Sequence, residues 1–587
     1  MTRASVVALT LVAFLPSCGG ERSDPTLELA GIWGAYRDLG PEVRGVLTLE
    51  HDQSDWMAEI GGVTVEATLD GGQIAFVLPD ERGEFRGRRT ADGTAVVGHW
   101  IQPRTMHSGR QVASPVTLRP DGEGRWQGDV VPFDDGFTYF LVARPRPDGS
   151  VGAFLRNPER NFGVFMNIDR LERAGDTVRL IGSWFRNAEV EVLSEGTYDP
   201  ERDVLTFTLR GSAFDFERID DDPESLFYAR GRDPGPWQYQ PPAPTDDGWR
   251  VGTLEEAGIA AGPIRELIED VISAPADSLS APYVHGMLVA RNGVLVLEEY
   301  FHGFDRETPH DTRSASKSLT AVLVGAAIED GAPLDRSTPV LSAIHGGEIP
   351  PDSDARKRRM TVEHLLTMSS GLDCDDRDSS SPGNEDVMQE QEDEPDWYRY
   401  TLALSMIREP GEMAVYCSIN SNLLGAVLSG ATGESLAELF QRLIAEPLEI
   451  DRYHLILDPL GRPYMGGGIQ WLPRDFMKLG QLMLNGGEWN GRRVVSEEWV
   501  SRSVSAQTRI RDRDYGYQWW IQEYPHGEGT VQAFFAGGNG GQVVIGVPEL
   551  DLLVTFYAGN YSDPVLYVIQ EEFVPRYVLP AVDRVPE

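Results

Sequence analysis

Lysine is nearly absent from this sequence. The chain has 587 residues and 52 lysine and arginine residues together, of which only Lys317, Lys357 and Lys478 are lysines, so that 49 are arginines. Arginine does not deprotonate in proteins, whereas lysine can act as a base. Chemistry that needs a basic amine side chain must therefore use one of these three positions.

Positive charge and metal-ligand spacings are also scarce. The formal net charge is −40 and the isoelectric point is about 4.6. This disfavours nucleic acid and anionic membrane surfaces as partners, because phosphate binding needs clustered cations. No zinc-type cysteine or histidine spacing and no His-Glu-x-x-His sequence occurs, so we predict neither a metal nor a cofactor.

Long hydrophobic runs are missing except near the N-terminus, where Arg3 precedes an apolar run over residues 4–15. That run is too short to span a bilayer and has the form of an export signal, predicted here as residues 1–17. The following Leu-Pro-Ser-Cys sequence resembles the lipobox of bacterial lipoproteins. The resemblance implies lipidation of Cys18 and a periplasmic or outer-membrane-anchored location, with the lipid as the only membrane contact. The alternative is an ordinary signal peptide cut nearby.

Two further cysteines, Cys374 and Cys417, complete the set of three. In an exported protein, an even pair indicates one disulfide. The alternative is a pair of buried free thiols.

The composition and the hydrophobic pattern of the sequence change along the chain. Residues 27–232 are short runs rich in valine, aromatic residues and threonine, broken by glycine and aspartate, which predicts an all-β sandwich or barrel. Residues 233–249 are rich in proline and polar residues and read as a linker. Residues 250–587 alternate helical patterns with two hairpin signals, one of them centred on Asn292-Gly293. This predicts an α+β domain with an antiparallel sheet flanked by helices.

Ser314 and Lys317 form a Ser-x-x-Lys pattern at the predicted start of a helix. Residues three apart lie on one helix face, so that the lysine amine can serve the serine hydroxyl as a base. For this role we expect burial or neighbouring cations to lower the pKa of Lys317. The alternative is a serine that caps the helix beside an exposed lysine.

Three segments resemble the class C β-lactamase and esterase branch of the serine hydrolases that use this motif: residues 310–331, 360–372 and 410–433. The resemblance covers about residues 250–587. It implies that Tyr416 is a catalytic acid/base, since it falls at the tyrosine of the Tyr-x-Asn motif. Ser418 stands at the place of the asparagine, as in esterase and amide-hydrolase members of that branch.

The third motif of the family, Lys-Thr-Gly or His-x-Gly, has no match here. Its nearest counterpart is Gly-Gly-Asn-Gly-Gly-Gln at 537–542. Asn539 and Gly540 are the best candidates for the strand position that donates a backbone N–H to an oxyanion. Without the lysine or histidine, ester or amide hydrolysis is favoured over recognition of a β-lactam carboxylate. The alternative for this segment is a tight glycine turn.

The acidic stretch 373–397 is interpreted as a solvated loop or lid over the site, with Ca²⁺ binding as the alternative. His285 and residues 515–520 are interpreted as buried packing, with a place in the cleft as the alternative.

The sequence therefore predicts an exported, two-domain serine hydrolase that forms an acyl-enzyme on Ser314 and acts on a small ester, amide or peptide. One alternative is a β-lactamase or DD-peptidase. Another is a binding lipoprotein without turnover. The oligomeric state is not indicated.

Overall fold

The computed structural model of the protein describes residues 24–40, 43–52, 55–105, 109–122, 124–184, 188–219, 226–348 and 354–582. The predicted signal segment 1–17 and the lipidation candidate Cys18 lie outside these residues. None of the helices in the described ranges has the length and apolar character needed to cross a bilayer.

The chain up to residue 219 contains strands and no α-helix among its described residues. In chain order the strands are β1 (Gly31–Asp38), β2 (Gly45–Asp52), β3 (Asp55–Ile60), β4 (Val63–Asp70), β5 (Gln73–Val77), β6 (Glu84–Arg89), β7 (Val96–Gln102), β8 (Val112–Pro120), β9 (Arg125–Val130), β10 (Gly136–Pro145), β11 (Val151–Arg156), β12 (Asn167–Ala174), β13 (Thr177–Ser183), β14 (Glu191–Asp199), β15 (Val204–Leu209) and β16 (Ser212–Arg218). The all-β prediction for this part of the chain is confirmed.

The described chain packs as two compact units. One unit takes in the residues up to Gly34, with Leu141–Leu155 and Phe165–Asp220. The barrel strands β1 and β10–β16 close on themselves in the order β1-β10-β11-β12-β13-β14-β15-β16. A closed barrel leaves no unpaired sheet edge.

The other unit contains residues 35–140, 156–164 and 221–587. Its later elements are β17 (Arg250–Val251), α1 (Ala261–Ser273), β18 (Val284–Arg291), β19 (Val294–Tyr300), β20 (His310–Asp311), α2 (Ser316–Glu329), α3 (Val340–Ile344), α4 (Val362–Leu366), α5 (Glu385–Glu390), α6 (Trp397–Ala403), α7 (Ser418–Thr432), α8 (Leu436–Phe440), β21 (Tyr453–Ile456), β22 (Ile469–Trp471), α9 (Pro473–Leu484), β23 (Glu488–Trp489), β24 (Arg492–Arg493), α10 (Glu497–Ser503), β25 (Thr508–Ile510), β26 (Arg513–Tyr515), β27 (Trp520–His526), β28 (Gly529–Gly538), β29 (Gln542–Val547) and β30 (Leu552–Ala558), followed by a helical turn series at Ile569–Val578.

A nine-stranded sheet in the order β17-β19-β18-β30-β29-β28-β27-β26-β25 forms the centre of this unit. All neighbouring strands in it are antiparallel except the β17–β19 pair. The β18–β19 hairpin turns at Asn292 and Gly293, whose φ angles are 53° and 65°, as the Asn-Gly signal predicts. The predicted α+β architecture is confirmed.

Both faces of this sheet are covered by helices. On strand β30, Val554 packs in one hydrophobic cluster with Leu267 of α1, and Leu553 packs in another with Leu323 of α2. Helix α9 also lies on the second face. A Cβ atom at its Gly480 would come within 2.6 Å of Leu553, so glycine permits the close approach of this helix to the sheet.

An 11-stranded sheet in the same unit joins distant parts of the sequence. Its order is β20-β22-β21-β8-β7-β6-β5-β4-β3-β2-β9, and Leu455 of β21 lies opposite Ala113 of β8. Residues 35–140 thus pack with 221–587. The division at the 233–249 linker stays a prediction drawn from composition.

Candidate active site

Ser314 lies in a single turn, Arg313–Ala315, that leads directly into helix α2. The φ angle of Arg313 is 49°, an uncommon value for a non-glycine residue that is often found at functional sites. The backbone N–H of Arg313 donates to Asp311 Oδ1 at 2.9 Å, which supports this conformation. The turn presents the Ser314 hydroxyl to a cleft.

Lys317 reaches back from α2 to the serine. Its Nζ donates to Ser314 Oγ at 2.9 Å and to the carbonyl oxygen of Gly466 at 2.5 Å. Only 1% of Lys317 is exposed. This arrangement differs from the alternative of a helix-capping serine beside an exposed lysine.

The electrostatic surroundings of Lys317 differ from the sequence-based expectation. Burial acts to lower the pKa of this amine. The opposing attraction of Tyr416, Glu385 and Asp376 outweighs burial, so that the pKa is raised. The expectation of a lowered pKa is therefore wrong, because it left out anionic partners that come from distant parts of the chain.

Tyr416 lies beside the amine. Lys317 Nζ is 5.1 Å from the centre of the tyrosine ring. The ring stacks on Trp520, with 5.6 Å between ring centres and a 20° angle between ring planes. Ser314, Lys317 and Tyr416, which were selected from separate motifs, are thus brought together.

Ser418 contacts two carboxylates. Asp376 Oδ2 accepts hydrogen bonds from the Ser418 N–H and Oγ, both at 2.7 Å. Glu385 Oε2 accepts from the same Oγ at 3.0 Å. Burial and the charge of Glu385 raise the pKa of Asp376 to about 6. Tyr464 closes the group by donating to Glu385 Oε1 at 2.6 Å.

Asp376 and Glu385 are functional candidates that sequence reasoning missed. Both belong to the acidic stretch 373–397, which was expected to be a solvated loop or lid. The stretch instead contains helix α5, and Asp376 lines the cleft beside Ser314. The sequence shows both the acidic stretch and the serine. Which acid contacts Ser418 cannot be read from it, because only the tertiary fold brings Asp376 to this serine.

The carboxylate of Asp376 predicts an acidic limb in the pH profile. As the pH falls through about 6, Asp376 gains a proton and loses its ionic hydrogen bonds to the Ser418 backbone and hydroxyl. Because Ser418 follows Tyr416 by two residues, we expect kcat/KM to fall on this limb. Measuring kcat/KM from pH 4.5 to 8 tests it.

Asp376→Asn should remove that limb and leave the activity at pH 8 close to the low-pH level of the unmodified protein. Asp378→Asn is the matched control, since Asp378 is exposed and bonds to Ser380. An unchanged limb in Asp376→Asn would contradict the assignment.

The cleft that contains Ser314 has a volume of about 470 Å³. Besides Tyr416 and Trp520, the lining includes Gly537, Gly538 and Asn539. A Cβ atom at Gly538 would lie 2.2 Å from the Thr312 carbonyl oxygen, so only glycine lets this strand end approach the Ser314 turn.

Of the two residues proposed for the strand position, Asn539 lines the cleft and Gly540 does not. The Asn539 side chain accepts from the Ser562 N–H at 2.7 Å. Gly540 instead forms a bridge with Asn560 and has a φ of 101°, which fits the glycine turn considered from the sequence. Their roles at an oxyanion stay predictions.

Most of the aromatic run 515–520 is buried, and Trp520 is its member in the cleft lining. His285 is fully buried and its Nδ1 is 2.8 Å from His310 Nε2. Lys478, a second buried lysine, is paired with Asp475 at 2.8 Å. This aspartate holds the place that Ser314 holds relative to Lys317.

Cys374 and Cys417 are joined in a disulfide with 5.9 Å between their Cα atoms. Cys417 follows Tyr416, and Cys374 lies two residues before Asp376. The bond therefore links the segment that carries the acid/base candidate to the segment that carries the carboxylates.

Removing this bond should destabilise the protein. For a sequence separation of 43 residues, the entropy of loop closure corresponds to about 4 kcal/mol in the free energy of unfolding. We expect the Cys374→Ser/Cys417→Ser double variant to unfold at lower urea concentration. Equal midpoints with and without a reductant in the unmodified protein would contradict this.

Among the described residues, no group of three or more histidine, cysteine, aspartate or glutamate side chains is arranged to hold a metal ion. The acidic stretch 373–397, for which Ca²⁺ binding was the alternative, lies wholly within the described residues and holds no such group.

Comparison with known families gives a direct match for the region around Ser314. Residues 277–564 match the family model described as Beta-lactamase. This region is a beta-lactamase-family domain. The resemblance inferred from the three sequence segments is confirmed, and the domain accounts for 288 residues, just under half of the chain.

The beta-lactamase-family domain has a curated relative in a 6-aminohexanoate-dimer hydrolase of Paenarthrobacter ureafaciens. The two are 28% identical over 266 residues, which cover 44% of this chain and 65% of the relative. The match thus spans less than two thirds of that relative.

Similar solved structures include a penicillin-binding protein homologue from Caulobacter crescentus, with 14% identity and a TM-score of 0.42 over 56% of this chain and 98% of that one. Another is a family VIII carboxylesterase, with 17% identity and a TM-score of 0.41 over 52% of this chain and 95% of that one. By the family match, residues 277–564 are a domain of the beta-lactamase hydrolase family, and the curated relative is itself named a hydrolase.

Proposed function

We propose that this protein is an exported serine hydrolase that cleaves an ester or amide bond through an acyl-enzyme on Ser314. The observation that carries the proposal is the 2.9 Å contact between Lys317 Nζ and Ser314 Oγ at the wall of a cleft. A serine hydroxyl is a weak nucleophile until a neighbouring group takes its proton.

Lys317 and Tyr416 together take the proton of Ser314, since Lys317 Nζ contacts Ser314 Oγ and the Tyr416 ring lies beside the amine. An ammonium ion can accept a proton only as it gives one away, so Lys317 and Tyr416 act as one unit in this step. The ammonium gives a proton to the Tyr416 oxygen and receives the proton of Ser314 Oγ as the hydroxyl attacks the substrate carbonyl.

Collapse of the tetrahedral intermediate releases the leaving group, which takes its proton from the Tyr416 hydroxyl. The oxyanion is held by the N–H of Ser314 and one N–H from the 537–542 segment, of which Gly537–Asn539 line the cleft. Water, activated by Tyr416, then attacks the acyl-enzyme and frees Ser314.

An activity probe tests the proposal. A fluorophosphonate probe should label the intact protein, and peptide mass spectrometry should place the label on Ser314. Ser314→Ala should not be labelled, whereas Ser316→Ala, whose hydroxyl contacts Thr312 at 3.0 Å, should be labelled normally. An unlabelled protein would favour the alternative of a binding lipoprotein without turnover.

The second candidate is a β-lactamase or DD-peptidase, which is favoured by the description of the matching family. A panel of p-nitrophenyl esters, D-amino-acid amides and a chromogenic cephalosporin separates the two. Turnover of esters or simple amides without turnover of the cephalosporin supports the main proposal, and the reverse pattern supports the second candidate.

Export and lipid attachment at Cys18 complete the proposal. Metabolic labelling with a fatty acid in a bacterial host should mark the full-length protein and should be lost in Cys18→Ala. A label retained in that variant would contradict lipidation at this cysteine.

A further inference from the structure

A second cavity, separate from the cleft of Ser314, lies in the unit that contains residues 35–140, 156–164 and 221–587. Its volume is about 460 Å³, and none of its lining residues lines the cleft. Five aromatic rings contribute to the wall: Tyr36, Phe133, Phe140, Phe304 and Tyr561. Cavities of this size and lining bind small organic molecules.

Glu159 supplies the wall with a carboxyl group that has only neutral partners. Its Oε1 accepts from the backbone N–H of Thr138 at 3.1 Å, and its Oε2 accepts from Asn157 Nδ2 at 2.6 Å. These two bonds fix the orientation of the carboxyl group. No arginine or lysine among the described residues forms an ion pair with it.

Two of the other acidic residues in the wall are already paired. Asp134 contacts Arg44 at 2.7 Å, and Asp311 contacts Arg160 at 3.2 Å. A third, Glu307, is exposed and is solvated. Glu159 is thus the acid of this wall that has no cationic partner in the described part of the chain, and it is only partly exposed.

The basic residues of the wall do not compensate for Glu159. Burial lowers the pKa of His302 and His454 to about 3 and that of His310 to about 4, so these rings are neutral near pH 7. Arg452 donates from Nη1 to the carbonyl oxygen of Glu307 at 3.0 Å. The cavity therefore offers an unpaired carboxyl group and several π faces.

We propose that this cavity binds a small organic amine as its ammonium ion, with the ammonium group at Glu159 and the apolar part against the aromatic rings. A cation compensates a carboxylate that is removed from water, and ring faces attract a cation further. In keeping with this, burial raises the pKa of Glu159 to about 7, which is the behaviour of an acid that lacks a cationic partner.

Isothermal titration of the full-length protein tests the proposal with three probes of similar shape. At pH 8, phenethylamine should bind with 1:1 stoichiometry and at least about tenfold more tightly than the neutral 2-phenylethanol. The anionic 3-phenylpropanoate should bind most weakly. An alcohol that binds as tightly as the amine, a preference for the anion, or no amine binding would each overturn the proposal.

Variants locate the binding. Glu159→Gln should weaken amine binding at least about tenfold, whereas Glu307→Gln, which removes an exposed carboxylate from the same wall, should change it less than twofold. Thermal unfolding and fluorophosphonate labelling should be unaltered in both variants, which shows that they are folded. Equal losses in the two variants, or no loss in Glu159→Gln, would contradict the assignment of Glu159.

Discussion

Lys317→Arg should lower kcat/KM by about 10³-fold or more, although it retains the positive charge. General acid–base catalysis contributes roughly 10²–10⁴-fold, and the proposed relay requires an amine that receives one proton while it gives another. A guanidinium group does not exchange a proton in this way. Its larger planar head must also occupy the space in which Lys317 Nζ contacts Ser314 and Gly466.

Steady-state kinetics on a p-nitrophenyl ester measure this loss, with Lys357→Arg as the control. Lys357 donates to the carbonyl oxygen of Leu402 at 2.6 Å and does not line the cleft, so its replacement should change kcat/KM less than twofold. A Lys317→Arg variant with the rate of the unmodified protein would remove Lys317 from the mechanism.

Tyr416→Phe should lower kcat by about 10²-fold. The substitution removes only the hydroxyl group, and phenylalanine preserves the stacking on Trp520. The loss should be larger for an alkyl amide than for a p-nitrophenyl ester, because only the poorer leaving group needs the proton that Tyr416 delivers.

Tyr515→Phe is the matched control. Tyr515 also contacts Trp520, with 4.7 Å between ring centres and a 71° angle between ring planes, but it does not line the cleft. Its replacement should affect esters and amides equally and slightly. If Tyr416→Phe lost the same factor on both substrates, the role of Tyr416 as the acid would be wrong.

The parts of the fold that depend on local sequence could be predicted. The turn at Asn292-Gly293 follows from the positive φ angles that these residues adopt readily. The pairing of Leu455 with Ala113 could not be predicted in the same way, since no local signal relates strands 342 positions apart. Composition predicts separate domains over residues 27–232 and 250–587. It carries no sign that strands from both ranges belong to one sheet.

In the candidate site, too, some contacts follow from local sequence and others depend on the tertiary fold. Ser314 and Lys317 are three residues apart in the sequence, so helical geometry predicts their contact. The carboxylates of Asp376 and Glu385 reach Ser418 only through tertiary packing. The sign of the pKa shift at Lys317 depends on those carboxylates, and for this reason the sequence led to the opposite expectation.

Because two of its lysines are buried, this protein can be conjugated selectively at the remaining one. Lys317 and Lys478 are 1% and 0% exposed, whereas Lys357 is partly accessible. An amine-reactive dye or cross-linker applied to the folded protein should therefore modify one lysine side chain, that of Lys357. That position allows attachment to a surface or a fluorophore while the buried amine of Lys317, beside the nucleophile, stays unmodified.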